Sequence, residues 1–343
     1  MDLQAISNPP NPWSSSCVEY LEEIPPARLT VYEDHTRELL ARNDSPDIPF
    51  RWSANPYRGC FHACAYCYAR PTHEYLGFGA GSDFETRITV KPRAAALLGA
   101  AFDRPSWRGE LVAFSGNTDC YQPLEASWRL TRACLEVCAE YRNPVSIVTK
   151  APLVERDLDL LGQLAAEARL SLTLSIPFLD PAHARALEPG AATPARRLET
   201  VRRLSAAGVR CGVLIAPVIP GLNDEDLARL LDAAREAGAT RAAWLLLKLP
   251  GSAAQVFEER LRATLPERAE RVLHRIREVR GGALDDRRFG ARMRGEGAYA
   301  WVLDDLFRAA ARRAGFASGE SRSEGDEGPT TFRRPSRGQL SLL

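Results

Sequence analysis

Three features are missing from this sequence of 343 residues, and each absence excludes a class of protein. No apolar run approaches the roughly 20 residues that a membrane-spanning helix needs, so we expect no membrane partner. Neither charge is in excess, since 45 Lys and Arg face 44 Asp and Glu, which argues against a chain that grips nucleic acid over its whole surface. The first residues lack a basic start followed by an apolar core, so we expect no secretory signal and a cytoplasmic location.

Disulfide bonds are not expected either, although the chain has eight cysteines. The chain is large, its apolar content of 45% is enough for a sizeable core, and it shows no export signal. Three of the cysteines, Cys60, Cys64 and Cys67, fall within eight positions. In a reducing compartment, crowded cysteines more often bind metal or take part in chemistry.

The apolar pattern becomes regular from Arg51 onward, where short apolar runs alternate with longer amphipathic stretches. The short runs predict strands at residues 50–54, 111–115, 145–149, 171–175, 210–216 and 243–247. The longer stretches predict helices at residues 124–141, 153–169, 194–207 and 223–237, the last with Asn223 as its N-cap.

This alternation predicts an α/β protein whose parallel sheet is joined by right-handed crossovers. Five or six units favour a full or partial (β/α) barrel over a doubly wound sheet. We place the barrel at residues 49–250, after an N-terminal segment at 1–48 that we expect to wrap a surface. A mostly helical, Arg-rich extension is predicted at 251–316. Residues 317–343 lack core-forming residues until the last few, so we expect a disordered tail.

The crowded cysteines lie in the segment NPYRGCFHACAYCYAR, residues 55–70, with the spacing C-x3-C-x2-C. This segment directly follows a predicted strand, at the end of a barrel that carries active sites. Each iron of a four-iron cluster needs a ligand, and thiolates are the usual protein donors. Three cysteines on one loop would hold three irons and leave the fourth open to an exogenous ligand. Gly59 allows the backbone to turn tightly beside them.

Three other interpretations of these cysteines stay open. Zinc would use the three thiolates with His62 or a distant cysteine, although structural zinc sites usually pair two knuckles and no second pair is present. A redox dithiol at Cys64 and Cys67 would leave Cys60 without a role. Ordinary core cysteines fit poorly with His62 and Arg70 in the same loop.

At this motif the chain resembles the radical SAM superfamily, whose signature is C-x3-C-x2-C with an aromatic residue before the third cysteine, here Tyr66. The likeness is greatest to the branch of spore photoproduct lyase, often labelled DNA-repair-photolyase-like. It extends over the segments SGNTDCYQPLE, VTKAPLVERD, LSIPFLD, PARRLETVRRLSAAGV, APVIPGLND and RRFGARMRGEGAYAW. The resemblance implies a partial (β/α)6 TIM-type barrel and two cofactors: a [4Fe–4S] cluster on Cys60, Cys64 and Cys67, and S-adenosylmethionine (SAM) on the open iron.

The resemblance also implies which residues contact SAM. The backbone near Tyr66 would contact the adenine, whereas Ser115 and Asn117 would contact the methionine part. Lys150 would lie near the SAM carboxylate, and Ser175 near the ribose or the methionine end. The last four residues end predicted strands on the face that holds the cysteine loop. For each of them the alternative is an ordinary polar residue at a strand end.

One departure from the family concerns an arginine. Many relatives carry Arg shortly after a Glu-Pro pair, but in this chain Gly190 follows Glu188 and Pro189. A contact from Arg at that position is therefore in doubt, and Arg196 is only a weak substitute.

A second departure concerns the hydrogen donor. Spore photoproduct lyase carries a donor cysteine where this chain has Gly116, so we do not expect the activity of that enzyme itself. Cys120 is our first candidate for a hydrogen donor, because a thiol S–H bond is weak, and Tyr68 is the second. The alternative for Cys120 is a packed loop cysteine, and we interpret Cys134, Cys138 and Cys211 as core residues.

The activity that the resemblance implies is reductive cleavage of SAM to a 5′-deoxyadenosyl radical, which abstracts hydrogen from a substrate. It requires a low-potential electron donor of the flavodoxin or ferredoxin type. The protein supplies ligation, orientation and exclusion of water. The rival class is a zinc-stabilised nucleic-acid-binding module without catalysis.

Two features favour nucleic acid as a partner, in DNA repair or modification. Residues 268–294 hold nine Arg against four acidic residues, which is enough for a local surface that binds phosphates, or for a solvated helix face. The last five residues, Gln339, Leu340, Ser341, Leu342 and Leu343, resemble the short peptide with which bacterial DNA enzymes dock on the replication sliding clamp. A tail without function is the alternative.

Overall fold

The computed structural model describes residues 29–316 and 329–335. The strands are β1 (Thr30–Glu33), β2 (Leu40–Arg42), β3 (Trp52–Ala54), β4 (Tyr57–Arg58), β5 (Arg87–Val90), β6 (Val112–Phe114), β7 (Val145–Thr149), β8 (Leu170–Ser175), β9 (Cys211–Val218) and β10 (Arg241–Leu246). The helices are α1 (Ser82–Thr86), α2 (Ala94–Asp103), α3 (Glu125–Trp128), α4 (Leu130–Glu140), α5 (Leu158–Glu167), α6 (Pro181–Leu187), α7 (Pro194–Ala206), α8 (Leu227–Glu236), α9 (Ser252–Thr264), α10 (Pro266–Val279), α11 (Ala291–Arg294) and α12 (Ala298–Arg313). Short 3-10 segments lie at Arg70–Leu76, Pro152–Asp157 and Asp224–Asp226.

The main sheet has the order β10-β9-β8-β7-β6-β3-β2. Its pairs are parallel from β3 to β10, and only β2 runs antiparallel to its neighbour. Among the described residues β10 and β2 do not pair with each other, so the barrel is open on one side. A second sheet, β1-β5-β4, adjoins the loop after β3. The predicted α/β fold with a partial (β/α)6 barrel is confirmed.

Alternating side chains explain why the strands form where the apolar runs lie. In β7, Val145 and Ile147 are fully buried in the core beneath the helices, while Ser146 and Val148 are half-buried on the other face. Lys150 follows the strand in the same alternation as Ser146 and Val148. The pattern thus sends this lysine toward the inside of the barrel.

Two predicted helices begin or break at places that the sequence pattern does not show. The predicted helix at 124–141 is divided into α3 and α4 at Arg129, whose backbone is left-handed with φ of +53°. The Glu125 carboxylate accepts the N–H groups of Thr131 and Arg132 at 2.9 and 3.1 Å, so it caps α4 and stabilises the break.

Asn223 stands at the N-cap position of the 3-10 turn Asp224–Asp226, but its side chain does not cap that turn. Its side chain instead accepts the N–H of Ile219 at 2.6 Å and donates to the carbonyls of Pro177 and Pro217. A 3-10 turn follows, and α8 begins only at Leu227. The amide therefore fixes two strand-end loops to each other, because a buried side chain first satisfies the nearest backbone groups.

The open side of the barrel is bridged by the segment around α11. Asp47, in the loop between β2 and β3, accepts the backbone N–H of Gly290 at 2.7 Å and forms an ion pair with Arg292. Arg280 donates to the carbonyls of Leu247 and Ala291, which ties the same segment to the end of β10. The two edges of the sheet are therefore joined through side chains.

The expected disorder over 317–343 does not hold for residues 329–335. Phe332 packs against the rings of Phe102 and Tyr141, with centroids 6.0 and 6.1 Å away. Arg333 donates its backbone N–H to the Tyr141 carbonyl, and Thr330 donates its hydroxyl to the Gly109 carbonyl at 2.6 Å. One aromatic anchor and a row of backbone hydrogen bonds order this short segment. The predicted clamp peptide at residues 339–343 lies outside the described residues.

Two further observations concern the described residues. No helix in them combines the length and apolar character that crossing a bilayer requires. Their seven cysteines are all free thiols.

Candidate functional site

The site is built on the loop of residues 55–70, which leaves the C-terminal end of β3. We call it the cysteine loop. Backbone hydrogen bonds join Cys60 N to the Phe84 carbonyl and Cys67 N to the Cys64 carbonyl. Cys60 and Cys64 are buried and Cys67 is half-buried. The loop thus turns its three cysteines toward the carboxyl ends of the barrel strands.

Two glycines allow other backbone to approach this loop. Gly59 has φ of +77°, and a Cβ there would lie 2.9 Å from the Phe84 carbonyl oxygen. A Cβ on Gly190 would lie 2.1 Å from the Phe61 carbonyl oxygen, and its N–H donates to the His62 carbonyl at 3.1 Å. The segment after Glu188 therefore clamps the cysteine loop through backbone contacts. This close approach explains why Gly stands where relatives often carry Arg.

Of the two arginines that follow this segment, Arg197 and not Arg196 faces the barrel. Arg196 lies outside the site and pairs with Glu155 at 2.5 Å. Arg197, 1% exposed, pairs with Glu188 and donates to the Ser175 carbonyl at 3.1 Å. Successive helix positions point about 100° apart, so only one of the two arginines can face the barrel.

The three thiols fit an iron–sulfur cluster by their chemistry. Burial raises the pKa of each thiol, and the charge of a neighbouring thiolate raises the pKa of Cys60 and that of Cys64 further. Thiolates in such surroundings are stabilised by nearby cations, and iron ions would supply that charge. Among the described residues no three His, Cys, Asp or Glu side chains converge as one metal ion requires. The ligands of a cluster each bind a different iron, so a cluster does not need such convergence.

A group of buried charges faces the cysteine loop from the ends of β7 and β8. Lys150 Nζ donates to Ser175 Oγ at 2.6 Å and lies 3.3 Å from Glu188 Oε1. Tyr66 donates its hydroxyl to the same carboxylate, and the Lys150 ammonium lies 5.7 Å from the Tyr66 ring centroid. Burial, with the charge of Arg197, lowers the pKa of Lys150 to about 8. Burial raises the pKa of Glu188, although Arg197 opposes that shift.

Three of the predicted SAM residues are thus brought together: Tyr66, Lys150 and Ser175. The other two lie on the adjoining loop after β6. Ser115, with φ of +79°, accepts the Cys120 N–H on its hydroxyl at 3.0 Å, and Asn117 donates its backbone N–H to Asn55. All five therefore lie at the carboxyl ends of the strands, on the face of the cysteine loop.

Asp119 joins the two halves of this face. It accepts the Lys150 N–H at 2.7 Å and the Thr149 hydroxyl at 2.6 Å, and it lies 3.4 Å from His62 Nδ1. Although burial alone would raise the pKa of Asp119, His62 and these hydrogen bonds lower it to about 2. Sequence reasoning missed this residue and the Glu188–Arg197 pair. Their one signal was position, since Asp119 and Arg197 lie within segments that resemble the family and Glu188 belongs to the Glu-Pro pair that the family shares.

The two candidate hydrogen donors have opposite surroundings. Cys120 is 1% exposed and belongs to the main apolar core, where burial raises the pKa of its thiol well above the ordinary value. This placement favours the alternative of a packed cysteine. Tyr68 is 49% exposed, donates its hydroxyl to the Gly116 carbonyl at 2.5 Å and lies under the Lys248 ammonium. Its hydroxyl thus lies beside the Gly116 backbone, on the loop after β6.

Four of the nine arginines at 268–294 form ion pairs with nearby acidic residues: Arg268 with Glu225, Arg275 with Glu278, Arg288 with Asp286 and Glu296, and Arg292 with Asp47. These four charges therefore serve contacts within the chain.

Comparison with known proteins agrees with this geometry. Uncharacterised proteins of Mycobacterium tuberculosis and Mycobacterium bovis are each 44% identical over 207 residues, which is 60% of this chain and 61% of theirs. An uncharacterised protein of Acidianus two-tailed virus is 30% identical over 203 residues, 57% of this chain and 63% of its own. The chain spans about three fifths of the length of these relatives.

Similar folds are found among solved structures. Spore photoproduct lyase complexed with dinucleoside spore photoproduct has a TM-score of 0.61 at 18% identity, over 84% of this chain and 79% of that one. A variant of that lyase with bound AdoMet and dinucleoside spore photoproduct has a TM-score of 0.58 at 17% identity, over the same shares. The family model of the radical SAM superfamily matches residues 54–234, which is more than half of the sequence. The chain belongs to the radical SAM superfamily.

Proposed function

We propose that this chain is an enzyme that holds a [4Fe–4S] cluster on Cys60, Cys64 and Cys67 and uses it to cleave SAM. The observation that carries the proposal is the arrangement of three free cysteines on one loop, two of them buried and one half-buried, facing a lysine at the end of β7 whose side chain is 14% exposed. When bound, the cluster and SAM supply a 5′-deoxyadenosyl radical after one electron arrives from a flavodoxin- or ferredoxin-type donor.

The residues of the chain then have separate tasks. Lys150 binds the SAM carboxylate, since its pKa of about 8 leaves it mostly protonated at neutral pH. Ser175 orients that ammonium, and Glu188 limits its movement. Ser115 and Asn117 contact the methionine part from the neighbouring loop. The backbone near Tyr66 receives the adenine, and the buried walls exclude water from the radical.

We propose nucleic acid, and specifically a DNA lesion or modified base, as the substrate class. The structural likeness to a lyase that binds a dinucleoside photoproduct supports this class. Exposed Tyr68 under Lys248 adds a ring and a cation at the mouth of the site, a combination that suits an unstacked base and its phosphate. The absence of a donor cysteine at Gly116 favours a product other than that of spore photoproduct lyase, with Tyr68 as the hydrogen donor before Cys120. The phenoxyl radical that this transfer would leave on Tyr68 would be reduced by a further electron from the flavodoxin- or ferredoxin-type donor and would take a proton from solvent.

Anaerobic reconstitution with iron and sulfide tests the cofactor assignment. We expect brown protein with about four irons per chain, and release of 5′-deoxyadenosine after addition of SAM and dithionite. Cys64→Ala should lose both properties. Cys211→Ala, which removes a buried cysteine outside the loop, should keep them. Colourless protein with one zinc per chain would instead select a zinc-stabilised binding module.

The substrate class is tested separately with the reconstituted protein. Irradiated and untreated DNA oligonucleotides are added with SAM whose 5′ carbon carries deuterium or hydrogen, and the release of 5′-deoxyadenosine is followed. A DNA substrate should accelerate the release of 5′-deoxyadenosine, and the DNA itself should change in mass. In Tyr68→Phe, 5′-deoxyadenosine should still be released while less DNA product is formed. If RNA, peptide or small molecules accelerate release while no DNA does, the DNA assignment is wrong.

A further inference from the structure

Three charged side chains are buried behind the cysteine loop, on the side away from the SAM residues. Arg70, Glu85 and Arg260 are 0%, 1% and 5% exposed. The proposed function gives none of them a task. We call them the rear charge cluster. Because charged side chains of this kind are almost never fully buried without a reason, the cluster calls for a physical account.

Arg70 holds the backbone of the cysteine loop. Its Nε and Nη2 donate to the Cys64 carbonyl at 3.0 and 2.8 Å. Its Nη1 donates to the carbonyls of Ala80 and Gly81 at 2.8 and 3.1 Å. Its Nη2 also pairs with Glu85 at 2.5 Å. A planar guanidinium reaches these acceptors at once, which the single ammonium of a lysine cannot do.

Arg260, on α9, adds a charge without holding the loop. Its Nη2 lies 3.7 Å from Glu85, and that nitrogen has no hydrogen-bond partner within the ranges that the structure describes. Burial lowers its pKa, while the charge of Glu85 and that of a Cys64 thiolate favour its protonated form. Glu85 is thus shared by two arginines, so the three side chains of the rear charge cluster sum to one positive charge, and Glu259 acts on Arg260 from outside the cluster.

The charges on the opposite side of the loop nearly cancel. The cations are Lys150 and Arg197, and the anions are Glu188 and Asp119, the latter beside His62. Cations thus act on the cysteines from both sides: Lys150 and Arg197 on Cys64, and Arg70 with Lys150 on Cys67, while a Cys64 thiolate favours the charged form of Arg260. A buried positive charge stabilises the more negative of two redox states, because the surrounding medium screens it weakly.

We propose that Arg70 and Arg260 are positioning residues for the iron–sulfur cluster, Arg70 by fixing the loop at the Cys64 carbonyl and Arg260 by favouring the one-electron-reduced state. The step concerned transfers one electron from an external reductant to the cluster, with no bond or proton exchanged. The inference rests on the proposed function, since it requires a cluster on the three cysteines. It assigns a task to side chains that touch neither SAM nor the substrate.

The test is a redox titration of the reconstituted full chain, with the reduced cluster detected by electron paramagnetic resonance. Arg260→Gln should make reduction about tenfold less favourable, which is a midpoint lower by 59 mV for one electron. Glu85→Gln removes the opposing charge and should shift the midpoint the other way. Arg260→Lys keeps the charge and serves as the matched control, with an unchanged midpoint.

The role of Arg70 in fixing the cysteine loop is tested with Arg70→Lys and a separate measurement. Arg70→Gln is not used, because it is expected to fold poorly. Arg70→Lys keeps the positive charge but loses the planar guanidinium and most of its hydrogen bonds. The equilibrium constant for reduction of the cluster should therefore change by no more than about twofold. Iron should be lost to a chelator at least fivefold faster than from the unchanged protein or from Arg260→Lys. Equal loss rates would refute this part.

The possible outcomes distinguish a failure of this inference from a failure of the proposed function on which it rests. A protein that binds no iron refutes both. A protein that binds iron and shows the same midpoint in Arg260→Gln, Glu85→Gln and the unchanged chain refutes only the electrostatic part. Shifts of the same sign in the two neutralised variants refute it equally, since opposite charges must act in opposite directions.

Discussion

Arg197 gives the sharpest test of how the site is held together. In Arg197→Ala the Glu188 carboxylate stays buried without its main partner, and breaking a buried ion pair in this way costs about 3–5 kcal/mol. Lys150, 3.3 Å away, remains as a second cation, so we expect the lower end, about 3 kcal/mol. Urea unfolding followed by tryptophan fluorescence measures this loss.

The neighbouring residue is a matched control for this measurement. Arg196→Ala removes the same side chain one position earlier on α7, where Arg196 is 37% exposed and its half-buried partner Glu155 keeps a second partner in Arg203. A partly exposed pair whose anion keeps another cation should contribute at most about 1 kcal/mol. The double variant Arg197→Ala with Glu188→Gln should be more stable than Arg197→Ala alone, because the unpaired charge is gone.

The pH dependence of the same variant has a definite sign. Burial already raises the pKa of Glu188 in the folded protein, and removal of Arg197 raises it further. A carboxyl whose pKa is higher in the folded than in the unfolded state favours folding when it is protonated. The destabilisation by Arg197→Ala should therefore shrink as the pH falls from about 8 to about 5. A loss no larger than that of Arg196→Ala, or one that grows on acidification, refutes the reasoning.

Three other changes have expected outcomes. Gly190→Ala should lower iron incorporation, because the new Cβ would lie 2.1 Å from the Phe61 carbonyl oxygen. Gly162→Ala is the control, since a Cβ there meets nothing within 4 Å and the iron content should stay unchanged. Equal iron contents in the two variants would contradict this. Lys150→Met should weaken SAM binding at least about tenfold by calorimetry, and binding to the unchanged protein should weaken above pH 8 as the ammonium loses its proton. Phe332→Ala should lower the free energy of unfolding by about 1–3 kcal/mol, and no change would mean that residues 329–335 do not stabilise the barrel.

The sequence pattern predicts the parallel strands well because each is a short, mostly apolar run, and in β7 the burial also alternates strictly. Val145–Thr149 is found where the apolar run predicts it, and the neighbouring strands differ only at their ends. A parallel strand is buried between helices, so its apolar run is dictated by the local chain alone. The cysteine loop is predictable for a similar reason, since its three ligands lie within eight residues.

The missed features depend on contacts between distant residues. Glu188 and Arg197 are polar in the sequence, and only the fold shows that both are fully buried. The break at Arg129 depends on Glu125, which caps the following helix from outside it. Residues 329–335 are ordered by rings more than 180 residues earlier in the chain, so nothing in their own composition predicts order.

The position of residues 329–335 has a practical consequence for handling the protein. Thr330 and Thr331 are bound to the carbonyls of Gly109 and Arg142, just ahead of β6 and β7, at the opposite end of these strands from the cysteine loop. A fusion partner, affinity handle or electrode linker attached beyond Pro335 therefore starts at the base of the barrel. Immobilisation through that end would leave the mouth free for an oligonucleotide or a redox protein, whereas a linker at the α11 segment would crowd it.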